Sequence, residues 1–89
     1  MTAKIAGDDL FGLLREEVAY VADIDPDAIV RSTNLAEDHG IDSLELMEIA
    51  TRLEDRLGIR LEPDRLTATT TIGEVLSYLE AKLGEASES

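Results

Sequence analysis

The sequence predicts an all-α fold, and three observations carry the prediction. Apolar residues recur at helical spacing in three separate stretches, one near each end of the chain and one in its middle. Aromatic residues are only 3% of a composition that is 44% hydrophobic, so the core must be built from Leu, Ile, Val and Ala, which suits packed helices better than a β-sandwich. Asp42 with Glu45 and Thr71 with Glu74 have the three-residue spacing of a capping box, in which each side chain satisfies a backbone N–H of the other at a helix N-terminus. A chain of 89 residues has room for one small domain, residues 1–89, with a modest core.

Residues 1–7 read as a flexible lead-in. Asp8 or Asp9 can then cap a first helix over about 9–22, with Phe11, Leu14, Val18, Val21 and Ala22 at helical spacing. Gly12 costs less than the roughly 1 kcal/mol of a mid-helix glycine because it falls near the first turn.

From Asp23 to Ile41 the periodicity is lost, and turn formers mark a long connection: Asp25-Pro26-Asp27, Ser32-Thr33-Asn34 and Gly40. Pro26 after Asp25 can open a single helical turn, and Ile24, Ile29, Val30, Leu35 and Ile41 can pin the segment to the helices. Asp23, Asp25 and Asp27 stand at the first three ligand positions of a calcium loop. The sixth position, however, is Ala28 where the turn needs glycine, and the twelfth is Asn34 where the ion needs a bidentate glutamate. His39, the single histidine, has no second His or Cys beside it and reads as a solvent-facing loop residue; no metal site is expected.

The middle helix spans about 43–57. Asp42 is its N-cap and Glu45 completes the box, which puts Ser43 at the first helical position. The serine is therefore not needed as the cap, and its hydroxyl lies where the helix N-terminus favours an anion such as a phosphate. Leu46, Ile49, Ala50, Leu53 and Leu57 form the inward stripe. A second stripe, Leu44, Met47, Glu48, Thr51 and Asp55, sets two apolar residues beside carboxylates, a mixture a purely solvated face would not choose. The alternative is that Leu44 and Met47 tuck under the preceding loop. Gly58 ends this helix, and Pro63-Asp64-Arg65-Leu66 can form one turn. The last helix runs from the Thr71–Glu74 box to about Leu83, with Ile72, Val75, Leu76, Leu79 and Leu83 inward; Gly84 stops it, and 85–89 form a frayed tail.

Twenty acidic residues against eight basic ones give a formal net charge of −12, which disfavours nucleic acid and anionic membrane surfaces and invites basic protein partners. There is no cysteine, so disulfides, thiolate metal sites and a cysteine nucleophile are excluded and a reactive thiol would have to be imported. No apolar stretch is long enough to span a bilayer, and a cytoplasmic protein is the default expectation. Carboxylates are expected on exposed helix faces, and there is no Ser-His-Asp set, metal cluster or glycine-rich phosphate loop. The chain is therefore read as non-catalytic, with Ser43 a substrate rather than a nucleophile of its own.

Gly40-Ile41-Asp42-Ser43-Leu44 resembles the Gly-x-Asp-Ser-Leu signature of acyl carrier proteins, and the similarity continues through Leu44, Met47, Glu48 and Leu53. The resemblance implies a four-helix bundle of acyl-carrier type, with three main helices, a short mobile third helix and a long first loop. It implies that Ser43 receives 4′-phosphopantetheine from coenzyme A, with Asp42 beside the attachment point, and that the arm's thiol holds acyl chains as thioesters. It further implies a monomer that meets a phosphopantetheinyl transferase, acyltransferases and ketosynthases through Leu44, Met47 and Glu48, and Asp55 on the same outer stripe is a further candidate contact. Peptidyl or aryl carriers of nonribosomal pathways more often have Gly-Gly-His-Ser or Gly-Gly-Asp-Ser before the leucine, so Ile41-Asp42 leans towards acyl cargo. An unmodified helical interaction module is the reading from another class.

Three features depart from the family pattern. Arg52 and Arg56 interrupt the acidic surface, and Glu48 is spaced to pair with Arg52 at i, i+4. Leu46 is larger than the residue many fatty-acid carriers have there and is expected to fill part of the interior.

Overall fold

The computed structural model describes residues 7–88, and side chains within 9–84. Five α-helices follow one another: α1 (Gly7–Ala22), α2 (Leu35–His39), α3 (Ser43–Leu57), α4 (Pro63–Thr67) and α5 (Ile72–Glu88), with a 3-10 turn at Pro26–Ala28 between the first two. Three of them are long and α4 is the short connecting helix, as expected, while α2 is an additional helix inside the long first loop. Leu10, Leu14 and Val18 of α1, Ile49 and Leu53 of α3, Leu66 of α4 and Ile72, Val75, Leu76 and Leu79 of α5 meet in one core.

Helix α1 begins earlier than the periodicity suggested. Asp8 and Asp9 lie inside it rather than capping it, because the backbone is already helical at Gly7; residues 1–6 of the expected lead-in lie outside the described residues. Its C-terminus closes with Asp23 in the left-handed region at φ 59° and the Ile24 N–H donating to Ala19 O at 3.1 Å. That closure normally uses glycine, and aspartate is one of the few other residues to adopt it readily.

The first loop is held by buried Ile29, Leu35 and Ile41, but Val30 is 51% exposed and is not one of its anchors. Backbone bonds do the rest. Leu35 N–H donates to Thr70 O at 3.0 Å, Ile72 N–H to Thr33 O at 3.0 Å and Gly73 N–H to Arg31 O at 2.9 Å, so the loop is fastened to the start of α5. Gly73 permits this approach, since a Cβ there would stand 3.3 Å from the Arg31 carbonyl oxygen. Helix α2 starts where Asn34 Oδ1 accepts from Glu37 N–H at 2.9 Å and Asp38 Oδ2 accepts from Asn34 N–H at 2.8 Å. It ends at Gly40, whose φ of 63° is left-handed. His39 is half-buried at its last position rather than solvent-facing.

Both expected capping boxes form. At α5, Glu74 N–H donates to Thr71 Oγ1 at 3.3 Å, and Glu74 Oε1 accepts from Thr71 N–H at 3.3 Å and Thr70 N–H at 2.6 Å. Gly84 does not stop this helix: it has no left-handed φ, and the backbone stays helical to Glu88, where a frayed tail over 85–89 was expected. Ser89 lies outside the described residues.

Candidate phosphopantetheine attachment site

Helix α3 is started by Asp42 and Glu45. Asp42 has extended backbone, φ −97° and ψ −177°; its Oδ1 accepts from Glu45 N–H at 2.9 Å, and Glu45 Oε1 accepts from Asp42 N–H at 3.3 Å. These bonds place Ser43 as the first helical residue with its side chain exposed. Its hydroxyl makes no hydrogen bond among the described residues, so it is free and exposed at a helix end that favours negative charge.

Ser43 lines a cleft of about 340 Å³ between α2, the start of α3 and the segment joining α4 to α5. Leu35, Ile41 and Leu46 supply apolar walls, and Thr67, Thr69 and Thr70 supply a polar one. Leu46 is half-buried, packs against the core and lines this space.

The outer face of α3 does not fold back under the loop. Leu44 is 81% exposed and Met47 37%, with Glu48, Thr51 and Asp55 also exposed along the same stripe. The arginines of α3 are engaged elsewhere than the sequence suggested. Arg52 pairs with Glu17 of α1 through Nε and Oε1, not with Glu48, and Arg56 Nη1 lies 2.8 Å from Glu17 Oε2 and 3.2 Å from Glu16 Oε1. Glu17 is 4% exposed, which corrects the expectation that the carboxylates all lie on exposed faces. Burial works against its charge, but hydrogen bonds from Arg56 and Arg52, with their positive charges, outweigh it and hold its carboxyl below the ordinary range.

Glu17 was legible in principle. It falls three residues after Leu14 on the inward side of α1, an unsatisfied place for a carboxylate unless cations reach it, and Arg52 and Arg56 are four apart on one helix face. Among the described residues no group of three or more His, Cys, Asp or Glu is placed to hold a metal ion. Asp25 instead accepts from Asp27 N–H at 2.9 Å, and Asp27 faces Arg15 at 3.5 Å. No helix among those residues is long and apolar enough to cross a membrane.

A family model described as a phosphopantetheine attachment site matches residues 12–79, a span that includes the α3 N-terminus and its cleft. The chain belongs to this carrier-protein family. The carrier is 39% identical over 72 residues to the polyketide-8 synthase acyl carrier protein 2 of Streptomyces avermitilis, covering 81% of this chain and 83% of that protein. Its fold is that of solved carriers. A 3,5-dioxohexyl acyl carrier protein from the actinorhodin polyketide synthase of Streptomyces coelicolor superposes with a TM-score of 0.73 at 32% identity, over 97% of this chain and 99% of that one. A free-standing peptidyl carrier protein from a secondary metabolic pathway of Acinetobacter baumannii gives 0.78 at 25% identity, over 90% and 99%.

Proposed function

We propose that this carrier holds acyl intermediates as thioesters on a 4′-phosphopantetheine arm at Ser43 and passes them between enzymes of polyketide or fatty-acid assembly. The observation that carries the reading is the free, exposed Ser43 hydroxyl behind the Asp42–Glu45 box, beside the cleft it lines. In the loading step Ser43 Oγ takes the phosphopantetheinyl phosphorus of coenzyme A, the pyrophosphate bond breaks and the nucleotide leaves, while the transferase removes the serine proton. The new phosphodiester is negative and rests at the positive end of α3. Asp42 orders that end by accepting from Glu45 N–H.

The outer face of α3, with Leu44, Met47, Glu48 and Asp55, is the surface by which the carrier meets a phosphopantetheinyl transferase, acyltransferases and ketosynthases with basic entrances. Its charge and its exposed apolar pair support that role. The Streptomyces avermitilis relative favours polyketide cargo, and the likeness to the Acinetobacter baumannii structure keeps peptidyl cargo as the second reading.

The test is incubation with coenzyme A, magnesium and a broad-specificity phosphopantetheinyl transferase, followed by intact-mass and peptide mapping. One phosphopantetheine on Ser43, and none on Ser43→Ala, is expected; an arm on any other serine, or none at all, rejects the reading. The mass of the cargo on protein taken from its native host then separates acyl from peptidyl chemistry.

A further inference from the structure

Two arginines on α3 ought to spoil an acidic docking face. Arg52 follows Glu48 by four residues and precedes Asp55 by three, so on an isolated helix it would fold over one or the other. It does neither. Arg52 and Arg56 both turn away to Glu17 on α1, Arg56 also touches Glu16 at 3.2 Å, and the Arg52 guanidinium lies 4.2 Å from the centroid of the Tyr20 ring. Among the described residues, Glu48 and Asp55 are left exposed with no ion pair or hydrogen bond, although Glu48 still lies within electrostatic reach of Arg52 and Asp55 borders the same cleft as Glu17, Arg52 and Arg56.

A carboxylate shielded from water wins such a competition. Charge-assisted bonds to it are stronger than pairing between two exposed, mobile side chains, and Glu17 is held in place by the helix that carries it. The geometry of the cluster matches this. Glu17 presents one oxygen to each arginine, and Tyr20 covers Arg52 from the side.

We propose that Glu17 is a positioning residue for partner recognition: by drawing Arg52 and Arg56 onto α1 it keeps Glu48 and Asp55 unpaired and available to a basic enzyme. This rests on the docking role given to α3 above. Without Glu17, Arg52 returns to Glu48 or Asp55, and the carrier loses docking charge at residues the substitution never touched.

The test is the kcat/KM of arm loading by a phosphopantetheinyl transferase with a basic entrance, measured on the full apo chain from low to moderate ionic strength. Glu17→Gln, similar in shape and able to keep one hydrogen bond, is expected to slow association about fivefold at low salt, with the difference fading as salt rises. Glu80→Gln, which removes the same charge from the exposed face of α5, should have a markedly smaller effect. Glu17→Gln/Arg52→Gln/Arg56→Gln should return the rate to that of the parent, because no arginine is left to cover Glu48 and Asp55. Glu16→Gln, on the exposed rim, leaves Glu17 paired with both Arg52 and Arg56 and should load at the rate of Glu80→Gln; a loss as large as that of Glu17→Gln would overturn the proposal.

A rate for Glu17→Gln equal to that of Glu80→Gln, a loss independent of salt, or a slow triple variant overturns the proposal. Glu48→Lys separates the two failures. If it slows loading while Glu17→Gln does not, the docking face stands and the positioning role falls; if it too has no effect, the docking reading itself is wrong.

Discussion

Arg56 Nη1 on α3 stands 2.8 Å from Glu17 Oε2 on α1, and Arg52 closes on the other oxygen of the same carboxylate. One buried acid thus ties the two helices together outside the apolar core. Its carboxyl is held below the ordinary value of 4.5, so the unfolded chain takes up the proton more readily than the folded one. The stabilisation is fully present above that value and is lost as pH falls through the lower folded one. Glu17→Gln should cost about 1–2 kcal/mol at neutral pH by losing charge-assisted bonds. The gap between the variant and the parent should close as pH drops below 4.5 in urea melts followed by circular dichroism. A gap that stays constant over that range would mean the charge of Glu17 is not what holds the helices.

The cap and the acceptor at the head of α3 should separate cleanly. Ser43→Ala removes a hydroxyl that bonds nothing, so the variant should melt with the parent while taking no arm. Asp42→Ala removes the acceptor for Glu45 N–H and should cost about 1 kcal/mol. It should also slow arm loading without abolishing it, because the serine remains and only its presentation loosens. Thermal melts and mass spectrometry of the two variants read both effects.

Glycine substitutions at two helix ends should have opposite signs. Gly58 takes φ 68° to close α3, whereas Gly84 lies in continuous helix with open space around a would-be Cβ. Gly58→Ala should destabilise by about 1 kcal/mol through the left-handed backbone, while Gly84→Ala should stabilise by up to about 1 kcal/mol, less if the end of α5 frays. If Gly84→Ala lowers the melting temperature instead, α5 does not continue through this position in solution.

These cases show which parts of the molecule were legible in the sequence. The Asp42–Glu45 and Thr71–Glu74 boxes were readable because all their partners lie within four residues. The inward stripe of α3 followed from a single period, as did most of that of α5. Helix α2 left a signal in Asn34 and Gly40, but five residues are too few for a period, and the loop that carries it is fastened by non-local bonds to Thr70, Ile72 and Gly73 that spacing does not show. Gly84 misled because a glycine near a helix end looks alike whether its φ is left-handed or helical. The Arg52–Glu48 pairing failed for a tertiary reason: local spacing offered one acid, and the neighbouring helix offered a buried one that binds better.

A formal charge of −12 on so small a chain works against compaction, and the Glu17 cluster relieves it at only one point. Moderate salt or divalent cations should therefore raise the melting temperature of the parent. An unchanged or lower melting point from low to moderate salt would show that repulsion among the surface carboxylates is already negligible.

The exposed apolar pair on α3 should set how long a complex lasts. Leu44 is 81% exposed, and Met47, at 37%, is the more covered of the two; neither is among the residues that form the core, so both truncations should leave the fold standing, with a small stability cost at Met47. Exposed charges steer an encounter but are screened beyond about 8 Å at physiological ionic strength, whereas apolar contact made after docking is not screened. Leu44→Ala and Met47→Ala should therefore each speed dissociation from a cognate enzyme about tenfold, with little change in association rate and little salt dependence. Glu48→Lys should do the reverse, slowing association at low salt with a small effect on dissociation. Each variant must first be shown to fold by circular dichroism and to accept the arm at Ser43, which removes lost structure as an explanation. Surface plasmon resonance against one cognate ketosynthase or acyltransferase reads both rates. If dissociation is unmoved by Leu44→Ala and Met47→Ala together, the apolar stripe is not part of the interface and partners hold the carrier through another face.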